Sequence, residues 1–319
     1  MAESPVLVVT QIGDSTADRV LDELYGRGVP AVRLDPCAES RDGSTSLAGY
    51  FDATGMKGAV RTSTRELDLE NVRSVYWRRP TPSRRPGEME TVSENFIANE
   101  TREGFLGLLG SLPGAFYVNH PWRIRDAEYK PAQLATAAHS GFAVPHTLVT
   151  NNEAQARTFV EIHGQVIYKA LWGVEVLGED EEPLSIWASS VRLDELDERV
   201  RSCPHLFQAR VPKVADVRLV VVGDEFIATR IDTSGNLLDW RLDPCRIYTP
   251  IDIPDHIQRA SRRYMQVFQL VYGAFDFALT SDGRWIFLEC NPNGQWAFVD
   301  PPAVRRITVA LANALTELR

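Results

Sequence analysis

The most informative stretch of the chain reads Phe275-Asp276-Phe277-Ala278-Leu279-Thr280, then Ser281-Asp282-Gly283, then Trp285-Ile286-Phe287-Leu288-Glu289-Cys290-Asn291. Its turn residues separate two apolar runs, which predicts a β-hairpin. Glu289 and Asn291 are two residues apart, so they point to one face of an extended strand, and Asp276 joins them across the hairpin. Three hard oxygen ligands on a rigid support suit a Mg²⁺ ion that is also bound by phosphate. A polar strand end that runs into a turn is the alternative interpretation.

Two lysines precede this hairpin at the ends of predicted elements. Lys130 begins a predicted helix, and Lys169 closes the apolar strand Val166-Ile167-Tyr168. A lysine in such a position can meet phosphate as a point charge, whereas a surface lysine would only lay its apolar stem along the protein. The predicted strand 206–211 lies between the lysines and the hairpin. Its backbone could meet an adenine edge, or it could be a plain core strand.

Several arginines stand at or near the ends of predicted strands. Arg78 and Arg79 follow the strand 72–77 directly, and Arg84 and Arg85 are close by in a Pro-rich loop. Three further arginines lie on or beside the later strands: Arg218, Arg230 and Arg241. Guanidinium groups clamp carboxylate and phosphate in a bidentate manner, so the cluster indicates a site for an acidic substrate. A solvated loop is the alternative for Arg78 to Arg85.

Composition excludes several other classes of protein. The chain has 319 residues, 44% of them hydrophobic, and a net charge of −9, so a general nucleic-acid binder is disfavoured. The longest apolar runs have the length of strands, and the N-terminus has no signal-peptide pattern, so we expect no membrane partner and a cytoplasmic location. Four scattered cysteines support neither zinc nor a disulfide framework. Neither a Walker motif nor a GxSxG nucleophile motif is present.

Taken in order, these residues resemble the ATP-grasp superfamily. The resemblance rests on Asn119-His120-Pro121, Lys130 to Leu134, Gly141, Val144 to Asn152, Lys169, Gln208 to Val211, Lys213, Asp216, Arg218, Val220 to Asp224, Asp276, Glu289 and Asn291. It implies that ATP is bound by Lys130, Lys169, Gln208, Ala209, Arg210, Val211, Lys213 and Asp216. It implies that Mg²⁺ is held by Asp276, Glu289 and Asn291. Ala209 departs from the acidic hinge residue of many relatives, which makes the ribose contacts less certain.

The resemblance also implies a fold class and a division of the chain. The fold is α/β with α+β subdomains. A Rossmann-like pre-ATP-grasp domain is expected over 1–118, a central ATP-grasp subdomain over 119–205, and a C-terminal subdomain with the metal site over 206–319. The predicted unit of strand 5–10, helix 14–27 and strand 29–34 agrees with a parallel N-terminal sheet.

Within the superfamily, the chain is similar to the graspetide (microviridin-type) synthetases. The similarity is carried by Tyr76-Trp77-Arg78-Arg79-Pro80, by Asp232-Thr233-Ser234 with Asp239-Trp240-Arg241, and by Asn291-Pro292-Asn293-Gly294-Gln295-Trp296. It implies a precursor peptide with a leader and an acidic core, whose Asp or Glu side chains are phosphorylated and then attacked by Thr or Ser, or by Lys in some relatives. The arginines expected to orient the acceptor carboxylate are Arg78, Arg79, Arg218, Arg230 and Arg241. Asp239 is the one suggestion for a general base.

Two other functions stay open at this point. The chain could be a different ATP-grasp ligase that adds an amino acid to a protein or joins small molecules. It could also be a non-catalytic peptide-binding protein that kept the fold, although the lysines and the metal triad are all present. A homodimer also stays open. Ring number, ring connectivity and the leader-binding surface do not follow from the sequence.

Overall fold

The computed structural model describes residues 4–40, 45–83, 91–171, 175–177, 183–185, 187–235 and 237–317. The first part of the chain contains β1 (Val6–Val9), α1 (Ser15–Gly26), β2 (Ala31–Leu34), α2 (Pro36–Ser40), β3 (Ser46–Asp52), β4 (Gly55–Arg61), β5 (Glu66–Asp68), β6 (Ser74–Trp77), α3 (Val92–Leu109) and β7 (Phe116–Val118). A parallel sheet runs in the order β2-β1-β6-β7, beside a separate antiparallel sheet of β3, β4 and β5.

This N-terminal part confirms the predicted α/β unit. All four residues of β1 are buried, as expected for a parallel strand covered on both faces. Helix α1 begins after Asp14, whose side chain accepts hydrogen bonds from the N–H groups of Thr16 and Ala17 and so caps the helix. The predicted helix 93–112 is present as α3. Arg84 and Arg85 lie outside the described residues.

The central part surrounds a four-stranded antiparallel sheet. It contains α4 (Pro121–Glu128), α5 (Lys130–Ser140), β8 (Thr147–Thr150), α6 (Glu153–His163), β9 (Val166–Lys169), β10 (Glu175–Leu177), β11 (Pro183–Ser185), β12 (Ser189–Val191) and β13 (His205–Ala209). The sheet order is β12-β9-β13-β8, and β10 pairs with β11 alone among the described strands. The three-part division stays a proposal. Because β13 pairs with β8 and β9, the boundary proposed at 205/206 is better drawn after Ala209.

The C-terminal part is built on a five-stranded antiparallel sheet. It contains β14 (Ala215–Val222), β15 (Glu225–Asp232), β16 (Ile247–Pro250), α7 (Asp255–Phe268), β17 (Tyr272–Leu279), β18 (Trp285–Asn291) and α8 (Pro301–Glu317), with the sheet order β16-β15-β14-β17-β18. The predicted hairpin is confirmed as β17 and β18, and Gly283 has the positive φ of 81° that its turn requires. In the ranges described, each helix is too short or too polar to cross a membrane.

The two faces of this sheet are covered by different elements. One face carries a cluster of aromatic side chains, including Phe275, Phe277 and Phe287, which packs with residues of α5 and α7. On the other face Tyr272 and Ala274 are covered by α8. Further along the same face comes Asp276, because alternate residues of a strand share a face. The part of the sheet that α8 does not cover therefore forms the floor of a cavity.

Candidate active site

A cavity of about 510 Å³ lies over this floor, with residues of the central part forming the opposite wall. Six cationic side chains line it: Arg79, Lys130, Lys169, Arg210, Lys213 and Arg241. Four acidic side chains also line it: Asp216, Asp239, Asp276 and Glu289. The cavity therefore has a surplus of positive charge in a protein whose net charge is −9. Such a local field favours a polyanionic ligand against the charge of the whole molecule.

Strand register brings the predicted metal-binding residues together. Asp276 of β17 stands directly opposite Glu289 of β18, and Asn291 stands opposite Ala274. A β-bulge between Asp276 and Phe277 shifts the pairing just beyond this point, which re-aims side chains as bulges near functional sites often do. The Asn291 amide Nδ2 lies 3.4 Å from Glu289 Oε1. The three side chains thus share one face at the end of the hairpin.

Two arginines hold the carboxylates from different sides. Arg218 stands opposite Asp276 on the neighbouring β14, with its Nε 3.3 Å from Asp276 Oδ1. Arg241 reaches in from the cavity, with its Nη2 3.3 Å from Asp276 Oδ2 and 3.5 Å from Glu289 Oε1. Arg241 also pairs with Asp239 at 3.0 Å. It therefore bridges three carboxylates at the centre of the site.

The two carboxylates titrate in opposite directions. Burial raises the pKa of Asp276, and the nearby Arg218 and Arg241 offset this effect only in part. Burial also opposes ionisation of Glu289, but Lys169, Arg241 and Lys130 outweigh it and hold the pKa of Glu289 below its usual value. Glu289 is thus the readily ionised member of the pair, and Asp276 is the one whose charge an added cation would stabilise.

The residues of this site fit a magnesium ion. Asp276 Oδ1 is buried and, among the described residues, accepts no hydrogen bond, because its 3.3 Å contact with Arg218 Nε lacks hydrogen-bond geometry. This oxygen can therefore also accept a cation. Within the same ranges no group of three or more His, Cys, Asp or Glu side chains is placed to hold a metal ion. Two carboxylates and one amide oxygen would leave further positions to phosphate and water, which is how Mg²⁺ is commonly bound.

The two predicted lysines line the same cavity as the carboxylates. Burial lowers the pKa of Lys169, Glu289 opposes this shift, and the nearby Lys130 adds to it. Burial likewise lowers the pKa of Lys130, again opposed by Glu289. The Lys130 ammonium donates a hydrogen bond to the Ala170 carbonyl. Two ammonium groups close enough to repel each other, facing a carboxylate pair, form a gap suited to a phosphate chain with its cation.

The segment Gln208–Val211 lines a further part of the cavity wall. The N–H groups of Ala209 and Arg210 each donate, at 2.9 Å, to carbonyls of the segments that lead into β8 and β9. The Gln208 side chain donates to the Thr147 hydroxyl at 2.9 Å. These donors are therefore engaged within the protein, which the sequence pattern did not indicate.

Lys213 and Asp216 form a close pair beside this segment. Lys213 Nζ lies 2.6 Å from Asp216 Oδ2 and 3.0 Å from the Leu238 carbonyl. Burial nevertheless raises the pKa of Asp216 to about 6, because Lys213 only partly offsets the loss of hydration. Both residues line the cavity, as expected for members of a nucleotide pocket.

The five predicted arginines do not form one cluster. Arg79 and Arg241 line the cavity, and Arg218 lies behind Asp276. Arg230 is not among the lining residues. It pairs with Asp232 at 2.7 Å, with 34% of its side chain exposed. Arg78 is also outside the lining, with none of its side chain exposed. The tertiary structure therefore divides a group that sequence alone treated as a single clamp.

The sequence pattern did not indicate the role of two residues that support the site. Gln133 accepts a hydrogen bond from the Cys290 N–H and donates to the Cys290 carbonyl, each at 3.0 Å, so it fixes the backbone between Glu289 and Asn291. Asn119 holds the same region by donating to the Pro292 carbonyl at 2.6 Å. Both lie in segments that carried the resemblance, but nothing local shows that a glutamine or an asparagine pairs with a strand more than 150 residues away.

Comparison with known proteins agrees with this fold. Residues 5–125 match the family of the MvdD pre-ATP-grasp domain. The whole chain is similar to the macrocyclase MdnC from Microcystis aeruginosa MRC, solved with its precursor peptide MdnA, with a TM-score of 0.86, 27% identity and 98% of each chain covered. It is also similar to the macrocyclase MdnB of the same organism, with a TM-score of 0.81, 28% identity, and 98% of this chain and 99% of that chain covered.

Two further proteins extend the comparison. A RiPP-associated ATP-grasp ligase from Chryseobacterium gregarium, solved with ADP and a leader and core peptide, shares the fold at a TM-score of 0.85 and 24% identity, over 98% of this chain and 96% of that chain. Glutathione synthetase from Salmonella typhimurium is 29% identical over 185 residues, which cover 55% of this chain and 53% of the relative. The chain thus spans about half the length of the curated relatives that it matches.

The fold of the whole chain is therefore similar to that of the ATP-grasp macrocyclases MdnC and MdnB. More particularly, the match to the MvdD pre-ATP-grasp domain covers residues 5–125, which include β1 to β7.

Proposed function

We propose that this protein is an ATP- and magnesium-dependent peptide macrocyclase. It would phosphorylate Asp or Glu side chains of a ribosomal precursor peptide with a leader and an acidic core. It would then join them to Thr or Ser hydroxyls, or to Lys amines, as ω-esters or ω-amides. One observation carries the proposal. Asp276, Glu289, Lys130 and Lys169 line a single cavity, in a chain that matches peptide macrocyclases over nearly its whole length.

In this proposal the groups of side chains that line the cavity have different roles. Asp276, Glu289 and Asn291 would hold Mg²⁺, which when bound offsets the charge of the transferring phosphoryl group. Lys130 and Lys169 would balance the phosphate chain. The N–H groups of Ala209 and Arg210 are engaged within the protein. We therefore expect the adenine amino group to donate to a carbonyl of the segment 208–211.

Two of the three arginines that line the cavity suit the second substrate. A carboxylate is a poor electrophile until phosphorylation gives it a leaving group, so positioning and electrostatics must supply most of the catalysis. Arg241 already contacts three carboxylates, so it could orient an acceptor carboxylate and then its acyl phosphate. Arg79 would approach from the N-terminal side. Asp239 lines the same cavity and is the candidate to take the proton of the attacking hydroxyl.

Arg218 and Arg230 receive narrower roles. Arg218 is 4% exposed at its side chain and touches Asp276, so we propose that it positions this carboxylate and does not contact the peptide. Arg230 is bound to Asp232 outside the described cavity lining, and a contact with the peptide there is the role still open to it.

The decisive experiment combines the protein with ATP, Mg²⁺ and a precursor peptide whose core is rich in Thr, Asp and Glu. Mass spectrometry should show the loss of one water per ring, with ADP and phosphate released. Lys169→Ala and Glu289→Ala should abolish dehydration, whereas Lys57→Ala, on an exposed position of β4, should not. Normal dehydration by either cavity variant would refute the assignment.

A second candidate is ligation of a free amino acid or another small amine to a carboxylate. The 29% identity with glutathione synthetase favours it. The same assay separates the two functions, because ligation of a free amine adds mass to the product, whereas ring closure removes water. A gain in mass with no dehydrated peptide would favour the second candidate.

A further inference from the structure

Two segments that the sequence pattern singled out separately are in contact in the structure. Arg78, which directly follows β6, extends its guanidinium into the loop that follows β18. It donates to the carbonyls of Asn293 and Gly294, at 2.5 and 2.9 Å, and to the Gln295 side chain at 3.1 Å. In return, the Asn293 amide donates to the Arg78 carbonyl at 3.2 Å. The arginine thus holds three consecutive residues of the loop.

The Arg78 side chain is fully buried and is held by a fixed carboxylate. None of the Arg78 side chain is exposed, and its carboxylate partner Asp14, at 3.3 Å, is 1% exposed. Asp14 is itself fixed, because it caps α1 and accepts a hydrogen bond from Thr10 at 2.8 Å. A buried charge persists only when it is paired and hydrogen-bonded, and here Asp14 and three acceptors of the loop meet that requirement. This arginine therefore cannot reach a substrate in the cavity.

The loop that Arg78 holds is in direct contact with the metal site. Gly294 packs so closely that a Cβ atom there would lie 2.8 Å from the Asn291 Cβ and 2.9 Å from the Ala274 Cβ. The Gly294 carbonyl accepts hydrogen bonds from both Arg78 and the Tyr272 hydroxyl, each at 2.9 Å. The Gly294 backbone therefore links Arg78 to Asn291, a side chain expected to bind the cation.

We propose that Arg78 is a positioning residue for the metal site. By holding residues 293–295, it keeps Asn291 beside Glu289 in the orientation that a cation requires. Groups that orient metal ligands from behind commonly change metal affinity by about 10- to 100-fold when they are removed. The inference rests on the metal site of the proposed function, and it replaces the role of substrate clamp that the sequence indicated for Arg78.

The competing explanation is that Arg78 merely ties the N-terminal part to the C-terminal part. The chain offers a matched control for that explanation at the other end of β6. Arg73 precedes β6 and donates to the Thr316 carbonyl near the end of α8 at 2.6 Å. It joins the same two parts of the chain but lies far along the strand from the metal loop. A mere tie predicts the same behaviour for both arginines.

The experiment measures Mn²⁺ binding to the ADP complex of the full chain by electron paramagnetic resonance. The variants are Arg78→Lys, Gln295→Leu and the control Arg73→Gln. Gln295→Leu removes one acceptor of Arg78 and leaves the buried charge in place, so it keeps the test informative if Arg78→Lys folds poorly. We expect Arg78→Lys and Gln295→Leu to weaken Mn²⁺ binding by about tenfold. ADP binding in EDTA should be unchanged, and Arg73→Gln should lower thermal stability without changing Mn²⁺ affinity.

The outcomes distinguish a failure of this inference from a failure of the proposed function. If the wild-type ADP complex binds no Mn²⁺, the proposed metal site fails and the inference fails with it. If wild type binds Mn²⁺ and the Arg78 and Gln295 variants match it, Arg78 is only a structural tie. Equal losses of Mn²⁺ affinity in all three variants would also overturn the inference.

Discussion

Neutralising Glu289 should affect metal-free and metal-bound nucleotide in opposite directions. Glu289 faces Lys169, Arg241 and Lys130, so in the absence of a cation it repels nucleotide phosphates and weakens the attraction of those groups. The variant Glu289→Gln removes this repulsion and replaces one carboxylate ligand of the proposed magnesium site with a neutral, weaker amide. We therefore expect tighter binding of ATP in EDTA and weaker binding of ATP in Mg²⁺.

The size of the first effect follows from charge and exposure. One unit charge about 6 Å away, at an effective dielectric constant of about 20, contributes about 3 kcal/mol. Because 26% of the Glu289 side chain is exposed, solvent reduces this value, and we expect about 1 kcal/mol, or about fivefold tighter ATP binding in EDTA. Loss of a direct ligand should weaken Mg²⁺ binding in the nucleotide complex by at least about 100-fold, beyond the usual cost of losing a supporting group.

Isothermal titration calorimetry with a non-hydrolysable ATP analogue, in EDTA and in Mg²⁺, measures both effects. Asp239→Asn is the matched control, because it removes one negative charge from the same cavity on the other side of Arg241. It should tighten metal-free binding to a similar extent and keep the response to Mg²⁺. An unchanged Mg²⁺ response in Glu289→Gln would show that Glu289 does not bind the metal.

Two further predictions concern stability. Burial raises the pKa of Asp216 from its ordinary value of 3.8 to about 6 in the folded protein. The stability that the protonated carboxyl provides is therefore present at low pH and is lost as pH rises from 3.8 through about 6. Between pH 5 and 7 the free energy of unfolding of wild type, measured by denaturant titration, should fall by about 1 kcal/mol more than that of Asp216→Asn. If the unfolding free energies of both proteins changed equally with pH, the raised pKa of Asp216 would be contradicted. Gly294→Ala should cost about 1–3 kcal/mol and weaken Mn²⁺ binding, because the new Cβ displaces Asn291. Gly13→Ala, which meets nothing within 4 Å, is its control, and a Gly294→Ala variant as stable as this control would contradict the packing argument.

The local sequence pattern was sufficient to predict the hairpin and the positions of its three polar residues. Asp276, Glu289 and Asn291 share a face because strand side chains alternate, and a turn at Gly283 sets which residues stand opposite each other. The N-terminal unit of strand, helix and strand was predictable for the same kind of reason. Each of these features depends on residues close together in the chain, so periodicity and turn chemistry report them directly.

The partners of isolated polar residues were decided by the tertiary structure. Sequence could not separate Arg78 from Arg79, although one is buried against residues 293–295 and its neighbour lines the cavity. Their side chains leave an extended backbone in opposite directions, and only the packing of the C-terminal part tells which direction is the interior. Gln133 likewise meets Cys290 only after α5 packs beside β18.

The sequence by itself therefore determined which residues could bind a cation and where apolar faces must form, because strand alternation and turn chemistry act over a few residues. Only the tertiary structure decided which arginine faces the ligand, which one supports the metal loop, and where the cavity closes. Those outcomes depend on contacts between segments far apart in the chain, and residue type alone does not encode the burial, distance and charge that such contacts create.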